Sequence, residues 1–564
     1  MSALADPFDA RRVVGASGLL RTFNEAGVLS AADVHVATRL AALGGEEDEA
    51  VKLAVALAVR GPRLGHVFVD LATIRESATV ESEDPVDLSA LPWPEPGDWL
   101  GAVRGSPLVA LGDEDAEAGE PAPLRLLGDT RLYLDRYWRD ERTVAADLNE
   151  LSASGRLQVI AGGPGTGKTT KVARMVAELI AESESHQSAG RSPRAPLIAL
   201  AAPTGKAAAR LEEVVHEQAG LGLRASTLHR LLGSKMRSHS RFAHDRANRL
   251  PHDVVIVDET SMVSLSLMAR LVEAVRPDAR LIMVGDPGQL TSIEAGVVLA
   301  DIVAAGHGVD LLEHVHRYGG GIARLADAVR DGDGDAAVAA LGAAPGEITW
   351  LALDAGADGG ETALDVVRER AVAAGREMFG AARDGRAGDA LDALDDFRLL
   401  CAHRRGRHGV SDWSSRVLAW LSAELPDLDA DRRDYVGRPL LVTENDYELG
   451  LYNGDTGVIV HDAGSHARAA TFERGGKLLA LSPLQLGPVE TVYAMTIHKS
   501  QGSQFETVAV LLPPAGSRIL TRELLYTAVT RARRHLIVVG TEEAVRGAVA
   551  RPVARASGLA ERLR

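Results

Sequence analysis

The chain of 564 residues contains one cysteine, Cys401, and no long apolar run. A single cysteine excludes an intramolecular disulfide framework and a cysteine-based zinc site. Its neighbours, residues 397–402, are typical of a buried strand. No apolar run approaches the roughly 20 residues that a membrane-spanning helix needs, and the early aspartates Asp6 and Asp9 are not typical of a signal peptide. We therefore expect a cytoplasmic protein.

Positive charge is also scarce, since the formal net charge is −16. This balance weakly disfavours a nucleic-acid partner, although a DNA channel needs only a local basic stripe. Two stretches could supply one: residues 230–249 hold six basic residues and one acidic residue, and residues 403–408 form a second basic cluster. Charge runs are more often solvated surface than nucleic-acid contacts, so neither stretch decides the question.

The most specific pattern is a phosphate-binding loop between an apolar stretch, residues 157–161, and a helical pattern, residues 172–180. Backbone N–H groups of such a loop surround the phosphates of a nucleotide, and the helix start adds a favourable dipole. Lys168 is expected to reach the β- and γ-phosphates and Thr169 to hold Mg²⁺. The alternative, a glycine-rich turn without a ligand, is disfavoured because strand, loop and helix are all present. The expected nucleotide-binding residues of the loop are Gly162, Gly163, Pro164, Gly165, Thr166, Gly167, Lys168, Thr169 and Thr170.

Two further apolar stretches end in polar residues. Residues 254–257 lead into Asp258 and Glu259, which suit an Mg²⁺ ligand and a general base for the attacking water. Residues 281–285 lead into a Gly-Asp-Pro-Gly turn and Gln289, which could touch the γ-phosphate or its water. The carboxyl edge of an open parallel sheet is where ligands bind, so all three groups are expected at one edge.

Strand and helix patterns alternate in two blocks, which predicts an α/β fold with two parallel sheets. Residues 1–125 are predicted to be a mainly helical domain, with residues 112–123 as a plausible linker. Residues 126–310 and 311–564 are predicted to be the two α/β domains, and residues 331–396 to be helices joined by loops. Short strand patterns at residues 439–443, 457–460 and 477–481 predict a small antiparallel insertion over residues 437–487.

Taken in order, these patterns resemble the motifs of superfamily 1 helicases, in the RecD-like branch. The phosphate-binding loop resembles motif I, the run ending in Asp258-Glu259 resembles motif II, and the run ending in Gln289 resembles motif III. The remaining resemblances are residues 200–208 (motif Ia), 226–232 (the short motif after it), His316-Arg317-Tyr318 (motif IV), 496–505 (motif V) and 526–533 (motif VI). Many relatives carry Glu where Gln504 stands, so Gln504 is given no role.

The resemblance implies two RecA-like P-loop NTPase domains with ATP in the cleft between them. Arg317 and Arg531 would meet the γ-phosphate from the second domain, and Gly502 would lie at the nucleotide. By carry-over from the motifs, DNA would be bound by Thr204, Lys206, His229, Thr496 and His498. From the residues alone, the alternative interpretations are that Thr204 caps a helix and that His229 packs in the core.

The N-terminal region selects the branch. Residues 8–71 and 132–144 resemble RecD subunits of RecBCD-type complexes (exodeoxyribonuclease V), residues 437–460 resemble their SH3-like insertion, and helix-hairpin-helix repeats are absent. The resemblance implies an ATP-dependent 5′→3′ DNA helicase that uses ATP and Mg²⁺. It would act on double-strand break ends in recombinational repair, in a heterotrimer with RecB-like and RecC-like subunits.

Three points stay open at this stage. The chain could instead be a stand-alone superfamily 1 helicase, or a regulatory ATPase subunit that does not itself unwind DNA. No compact acidic-plus-lysine nuclease site is recognisable, so nuclease chemistry is expected in a partner subunit. The basic stretch at residues 230–249 overlaps a predicted hairpin at about 233–251 that would separate the DNA strands.

Overall fold

The structure is a computed structural model that describes residues 12–78, 80, 87–114, 122–188, 195–234, 241–291, 294–312, 320–354, 364–446, 448–461, 467–474 and 476–564. Two predictions fall outside these ranges: Arg317 with its motif IV neighbours, and residues 235–240 at the centre of the predicted hairpin. Within the described ranges, no helix combines the length and apolarity needed to cross a membrane.

In the described part of the N-terminal region, the helices α3 and α5 pack against a small sheet with strand order β1-β4-β3-β2. Helix starts follow from local chemistry: Ser30 and Asp33 form a capping box at the second helix, and Asp48 caps the third. The elements are α1 (Gly18–Glu25), α2 (Ala31–Gly44), α3 (Glu49–Arg60), α4 (Ile74–Ser77), α5 (Pro96–Gly105), β1 (Phe68–Asp70), β2 (Val109–Leu111), β3 (Leu124–Leu127) and β4 (Arg131–Leu134).

The first α/β unit is a six-stranded sheet whose neighbouring strands are all parallel, in the order β10-β5-β9-β8-β6-β7. Its central strands are mostly apolar, as expected for strands covered on both faces. The elements are α6 (Asp135–Ala153), α7 (Lys168–Ser188), α8 (Gly205–Ala219), α9 (Leu228–Leu231), α10 (Leu265–Ala274), α11 (Val298–Ala305), β5 (Leu157–Gly162), β6 (Ile198–Ala202), β7 (Ala225–Thr227), β8 (Val254–Val257), β9 (Arg280–Gly285) and β10 (Val309–Leu312).

The second α/β unit has a parallel sheet of order β11-β20-β19-β12-β18 and an antiparallel sheet of order β16-β15-β14-β13-β17. Its elements are α12 (Gly320–Asp331), α13 (Gly334–Ala343), α14 (Asp365–Arg383), α15 (Ala387–Asp396), α16 (Val410–Glu424), α17 (Arg522–Val529), α18 (Glu542–Ala550), β11 (Ile348–Leu351), β12 (Phe397–Cys401), β13 (Pro439–Val442), β14 (Thr456–His461), β15 (Arg468–Arg474), β16 (Lys477–Leu481), β17 (Val489–Thr491), β18 (Ala494–Thr496), β19 (Phe505–Leu511) and β20 (Ala532–Val539).

The loop of the antiparallel insertion that carries Tyr452 contacts the first unit. The Tyr452 ring lies so close to Gly205, at the start of α8, that a side chain at that glycine would collide with it. The Arg474 guanidinium covers the same ring, 4.2 Å from its centroid. The insertion therefore contacts the helix that carries the predicted DNA residues Thr204 and Lys206.

After α18 the chain crosses back to the first unit, and we call residues 551–564 the strap. The N–H of Val67 donates to the Ala556 carbonyl at 2.7 Å, and the N–H of Gly558 donates to the buried Glu141 carboxylate at 2.7 Å. The strap thus bonds both the N-terminal region and α6.

The strap ends in α19 (Leu559–Leu563). Leu559 and Leu563 are buried in the hydrophobic core of the first unit, together with Trp138 and Leu148 of α6. The second unit is therefore joined to the first at both ends of its sequence.

The predicted fold class is confirmed: two parallel-sheet α/β units, an antiparallel insertion and a mainly helical N-terminal region. Two details differ from expectation. Residues 331–396 contain an edge strand, β11, in addition to helices, because it pairs with β20. The N-terminal sheet continues to Leu134, and residues 112–123 join its strands β2 and β3. The proposed first domain boundary at residue 125 falls within β3, and the domain bounds stay a proposal.

Candidate nucleotide and DNA site

The predicted nucleotide residues of the first unit lie at the carboxyl ends of three neighbouring strands. Gly162 ends β5, Asp258 follows β8, and Asp286 follows β9. These strands are adjacent in the sheet order β5-β9-β8, so their loops meet at one edge. This is the edge at which parallel α/β sheets bind ligands.

The phosphate-binding loop turns through two glycines with left-handed backbone, Gly165 at φ +81° and Gly167 at φ +82°. Residues with a Cβ rarely adopt this conformation. Lys168 folds back over the loop, and its ammonium donates to the carbonyls of Gly162 and Gly163, both at 2.7 Å. Its charge is therefore held within reach of the space that the loop surrounds.

The acidic pair lies beside the loop. The Thr169 hydroxyl is 3.3 Å from Asp258, to which it donates, and the N–H of Glu259 donates to the other Asp258 oxygen at 2.8 Å. Burial raises the pKa of both carboxyls, and the charge of Asp258 raises the pKa of Glu259 further. Glu259 has a left-handed backbone, φ +50° and ψ +40°, which is strained for a residue with a side chain.

Gln289 follows the turn after β9 and is buried. Its side-chain amide donates to Asp286 at 3.1 Å, and Asp286 also accepts the N–H of Gly288 at 3.0 Å. The carboxylate therefore fixes both the backbone turn and the side chain of Gln289.

Arg531 belongs to the second unit and is buried, with 3% of its surface exposed. Its guanidinium donates to the Thr527 and Ser503 carbonyls, both at 3.0 Å. Its charge lowers the pKa of Glu259, so it lies near the acidic pair of the first unit. Gly502, at φ +75°, precedes the Ser503 carbonyl that Arg531 binds.

The predicted DNA residues lie at other carboxyl ends. Thr204 follows β6 and His229 follows β7, which are neighbours in the first sheet, whereas Thr496 and His498 lie at the end of β18 in the second. Thr204 accepts the N–H of Ala207 at 3.2 Å and so caps α8, which is the alternative role considered for it from sequence. His229 is exposed, which excludes core packing, and its ring lies 5.9 Å from that of Phe242.

Two of these residues have shifted pKa values. Burial, with the charges of Arg555 and Arg404, lowers the pKa of His498 to about 4, so His498 is neutral at neutral pH. Burial also lowers the pKa of Lys206, and the carboxylates of Asp395 and Asp455 oppose that shift.

Part of the basic stretch has a structural role. Arg246 pairs with Asp147 at 2.8 Å and with Glu273 at 3.6 Å, and Arg249 donates to the Val275 carbonyl. These two cations hold residues 241–250 against the first unit.

Sequence reasoning missed the residues that bridge the cleft. Tyr526 donates to Asp286 at 3.2 Å, and Thr527 and Gln501 bond the backbone of Leu290. All three second-unit residues lie within motifs V and VI. The motif match could locate them, but nothing in the sequence indicates which residues of the first unit they contact.

Three protein families match parts of the chain. The RecBCD enzyme subunit RecD N-terminal domain matches residues 25–133, an AAA domain matches residues 145–353, and the UvrD-like helicase C-terminal domain matches residues 491–539.

Similar proteins match over most of the chain. It is 49% identical to the RecBCD enzyme subunit RecD of Mycobacterium tuberculosis over 98% of both chains, and 48% identical to that of Mycolicibacterium smegmatis over 97% of this chain and 99% of the other. The ATP-dependent RecD2 DNA helicase of Deinococcus radiodurans is 34% identical over 74% of this chain and 52% of its own. Among solved structures, Bacteroides Pif1 bound to ssDNA is 17% identical, covering 70% of this chain and 91% of its own with a TM-score of 0.36.

Proposed function

The chain belongs to the family of RecD, the RecBCD enzyme subunit, and on that premise we propose that it is an ATP-dependent 5′→3′ DNA helicase within a RecBCD-type complex. One observation carries the proposal. The predicted nucleotide residues lie at β5, β9 and β8, near Arg531 of the second unit, and the predicted DNA residues Thr204 and His229 follow the adjoining strands β6 and β7. A change at the nucleotide can therefore move the surfaces that hold DNA.

ATP and Mg²⁺ fit the residues present. Thr169 and Asp258 offer two oxygen ligands 3.3 Å apart, the donor type that Mg²⁺ prefers. When bound, Mg²⁺ would neutralise charge on the phosphates. Lys168 would turn from the loop carbonyls to the phosphates, and Glu259 would orient the attacking water and accept its proton. Arg531 would add positive charge from the second unit, and Arg317 keeps that role as a proposal from sequence.

DNA would be bound by the groove that runs from Thr204, Lys206 and His229 to Thr496 and His498. Contacts with the phosphate backbone and stacking against bases would make binding tolerant of sequence and sensitive to salt. Closing and opening of the cleft in each ATP cycle would move the two units alternately along one strand.

We propose RecB-like and RecC-like partners because the closely similar relatives are named as subunits of the RecBCD enzyme. Break ends processed in recombinational repair are the proposed substrate. Nuclease chemistry is assigned to a partner. In the part of the chain that the structure describes, no group of three or more His, Cys, Asp or Glu side chains could hold a metal ion. The cytoplasmic location stays a prediction.

The test is unwinding of duplexes with a 5′ or a 3′ single-stranded tail, by the chain alone and with its copurifying partners. We expect activity on the 5′-tailed substrate, and Lys168→Ala should abolish both this activity and ATP hydrolysis. Lys171→Ala is the matched control, because Lys171 lies one turn further along α7 and pairs with Asp310 instead. Unwinding that persists in Lys168→Ala, or that requires a 3′ tail, would overturn the proposal.

A further inference from the structure

Asp286 is a buried carboxylate that collects bonds from both sides of the cleft. It accepts the backbone N–H of Gly288 on one oxygen, and on the other it accepts both the Gln289 amide at 3.1 Å and the Tyr526 hydroxyl at 3.2 Å. Only 2% of Asp286 and 2% of Tyr526 is exposed. A residue of the second unit and the predicted γ-phosphate contact of the first unit therefore share one oxygen atom.

Tyr526 also touches the phosphate-binding loop. A Cβ placed on Gly163 would lie 3.0 Å from the Tyr526 hydroxyl oxygen, and one placed on Gly288 would lie 3.4 Å from the ring. The phenol thus fits between the two first-unit turns that flank the nucleotide. Lys168 bonds the Gly163 carbonyl, so a Lys168 that moves to a phosphate releases the same loop segment.

The backbone after Gln289 is held from the second unit as well. The Leu290 N–H donates to the Thr527 hydroxyl at 2.9 Å, and its carbonyl accepts from the Gln501 amide at 2.5 Å. The Leu290 side chain lies in a core cluster of the second unit. Gln289 is therefore fixed on one side through Asp286 and on the other through Leu290, and both links depend on the position of the second unit.

We propose that Tyr526 is a positioning residue that couples Gln289 to closure of the cleft, through the shared Asp286 carboxylate. With the cleft closed, the Tyr526 hydroxyl and the Gln289 amide bond the same Asp286 oxygen, so Tyr526 fixes the carboxylate that holds Gln289 in place for the γ-phosphate or its water. With the cleft open, Asp286 loses the Tyr526 hydroxyl, and Gln289 is held less firmly. This inference rests on the proposed function, because it assigns a task to the same site.

The variant Tyr526→Phe keeps the ring and removes only the hydroxyl. We expect the KM for ATP to stay within about twofold and the DNA-stimulated kcat to fall about tenfold, since a hydrogen bond to a charged group is lost only at the hydrolysis step. Tyr435→Phe is the matched control, because it removes a buried hydroxyl of the second unit that bonds Tyr493 at 2.7 Å. Equal losses in both variants would show a structural effect and overturn the inference.

A double-mutant cycle tests the route through Gln289. In a Gln289→Ala background, Tyr526→Phe should change kcat less than twofold, because the side chain it positions is gone. Independent, multiplicative losses would place Tyr526 outside this route and contradict the inference.

A third measurement separates this inference from the proposed function. Hydrogen exchange of residues 286–290 should slow when a non-hydrolysable ATP analogue is added, and this protection should weaken in Tyr526→Phe but not in Tyr435→Phe. The readout needs neither hydrolysis nor unwinding, so it stands if the chain proves not to be a helicase. Equal protection in both variants would overturn the link through Tyr526.

Discussion

At the scale of single residues, Glu259 combines a proposed catalytic role with an unfavourable backbone. Its left-handed conformation costs a residue with a Cβ roughly 1 kcal/mol or more, and glycine would adopt it freely. The carboxyl follows β8 beside Asp258, and the charges of Lys168 and Arg531 lower its pKa. The proposed role and the stability of the chain therefore place opposite demands on this position.

Two variants separate these contributions. Glu259→Ala and Glu259→Gly both remove the carboxylate, and we expect each to lower the kcat of ATP hydrolysis by a factor of about 10² to 10⁴. The glycine variant should be more stable than the alanine variant by about 1 kcal/mol, measured by chemical denaturation, because it alone relieves the strain. Equal stability of the two variants would show that the backbone there is relaxed.

His498 lies in the predicted DNA groove without a positive charge. Because its pKa is about 4 in the folded chain, it stays neutral in the pH range in which an ordinary histidine becomes protonated. Between pH 6.5 and 4 the unfolded chain takes up a proton that the folded chain does not, so this residue lowers stability as the pH falls through that window.

The consequence for DNA binding is measurable. Because His498 releases no counterion, His498→Asn should leave the slope of log affinity against log salt unchanged at pH 7. At pH 5.5 the wild type and His498→Asn should again have equal slopes. Titration of the His498 ring protons by NMR checks the cause, and a midpoint near 6.5 would contradict it.

At the scale of elements, the strap is held by a carboxylate that prefers to be neutral. Burial raises the pKa of Asp301 to about 6 from its ordinary 3.8, and the Ser557 hydroxyl donates to it at 2.7 Å. Between pH 4 and 6 the folded chain keeps a proton that the unfolded chain releases. The contribution of Asp301 to stability is therefore complete below pH 4 and is lost as the pH rises through 6.

Replacing the carboxyl by an amide should remove this pH dependence. The amide of Asp301→Asn still accepts the Ser557 hydroxyl. Above pH 6 we expect the free energy of unfolding of this variant to exceed that of the wild type by up to about 3 kcal/mol, with no difference near pH 4. Thermal unfolding at the two pH values measures the difference. Asp335→Asn is the control, because Asp335 is 91% exposed. A gain that is equal at both pH values would point to a cause other than titration.

The elements that sequence could predict are those with a strong period or a motif at their end. The central strands β5, β8 and β9 are continuous apolar runs followed by glycine or acid, and α2, α3 and α8 carry caps and an amphipathic pattern. The strands β1, β2 and β11 have three or four residues each, which is too short to show the alternation of apolar and polar residues that predicts a strand. The strap sequence, rich in Arg and Ala, carries no signal for the contacts it makes.

The same division applies to the site. The motifs predict which side chains could bind a nucleotide, because phosphate and Mg²⁺ restrict residue type and spacing. They do not predict the contacts of Tyr526, because these contacts involve two turns of the first unit that lie hundreds of positions away in sequence. Pairing across the cleft is a property of the assembled units, and no local pattern encodes it.

At the scale of the whole molecule, a net charge of −16 is compatible with a DNA groove, because Arg404 and Arg555 lie close to the neutral His498 at the end of β18 and supply a local positive charge there. Association with DNA should therefore depend on this local field rather than on the total charge.

The strap also has a consequence for the order in which the chain can fold during synthesis. Leu559 and Leu563 complete the core that α6 begins more than 400 positions earlier. A ribosome would finish both sheets before α19 emerges, and until then Trp138 and Leu148 lack part of their cover. The first unit would reach its final stability only after residues 559–563 have emerged, and a nascent chain stalled before residue 559 would present an apolar face to chaperones.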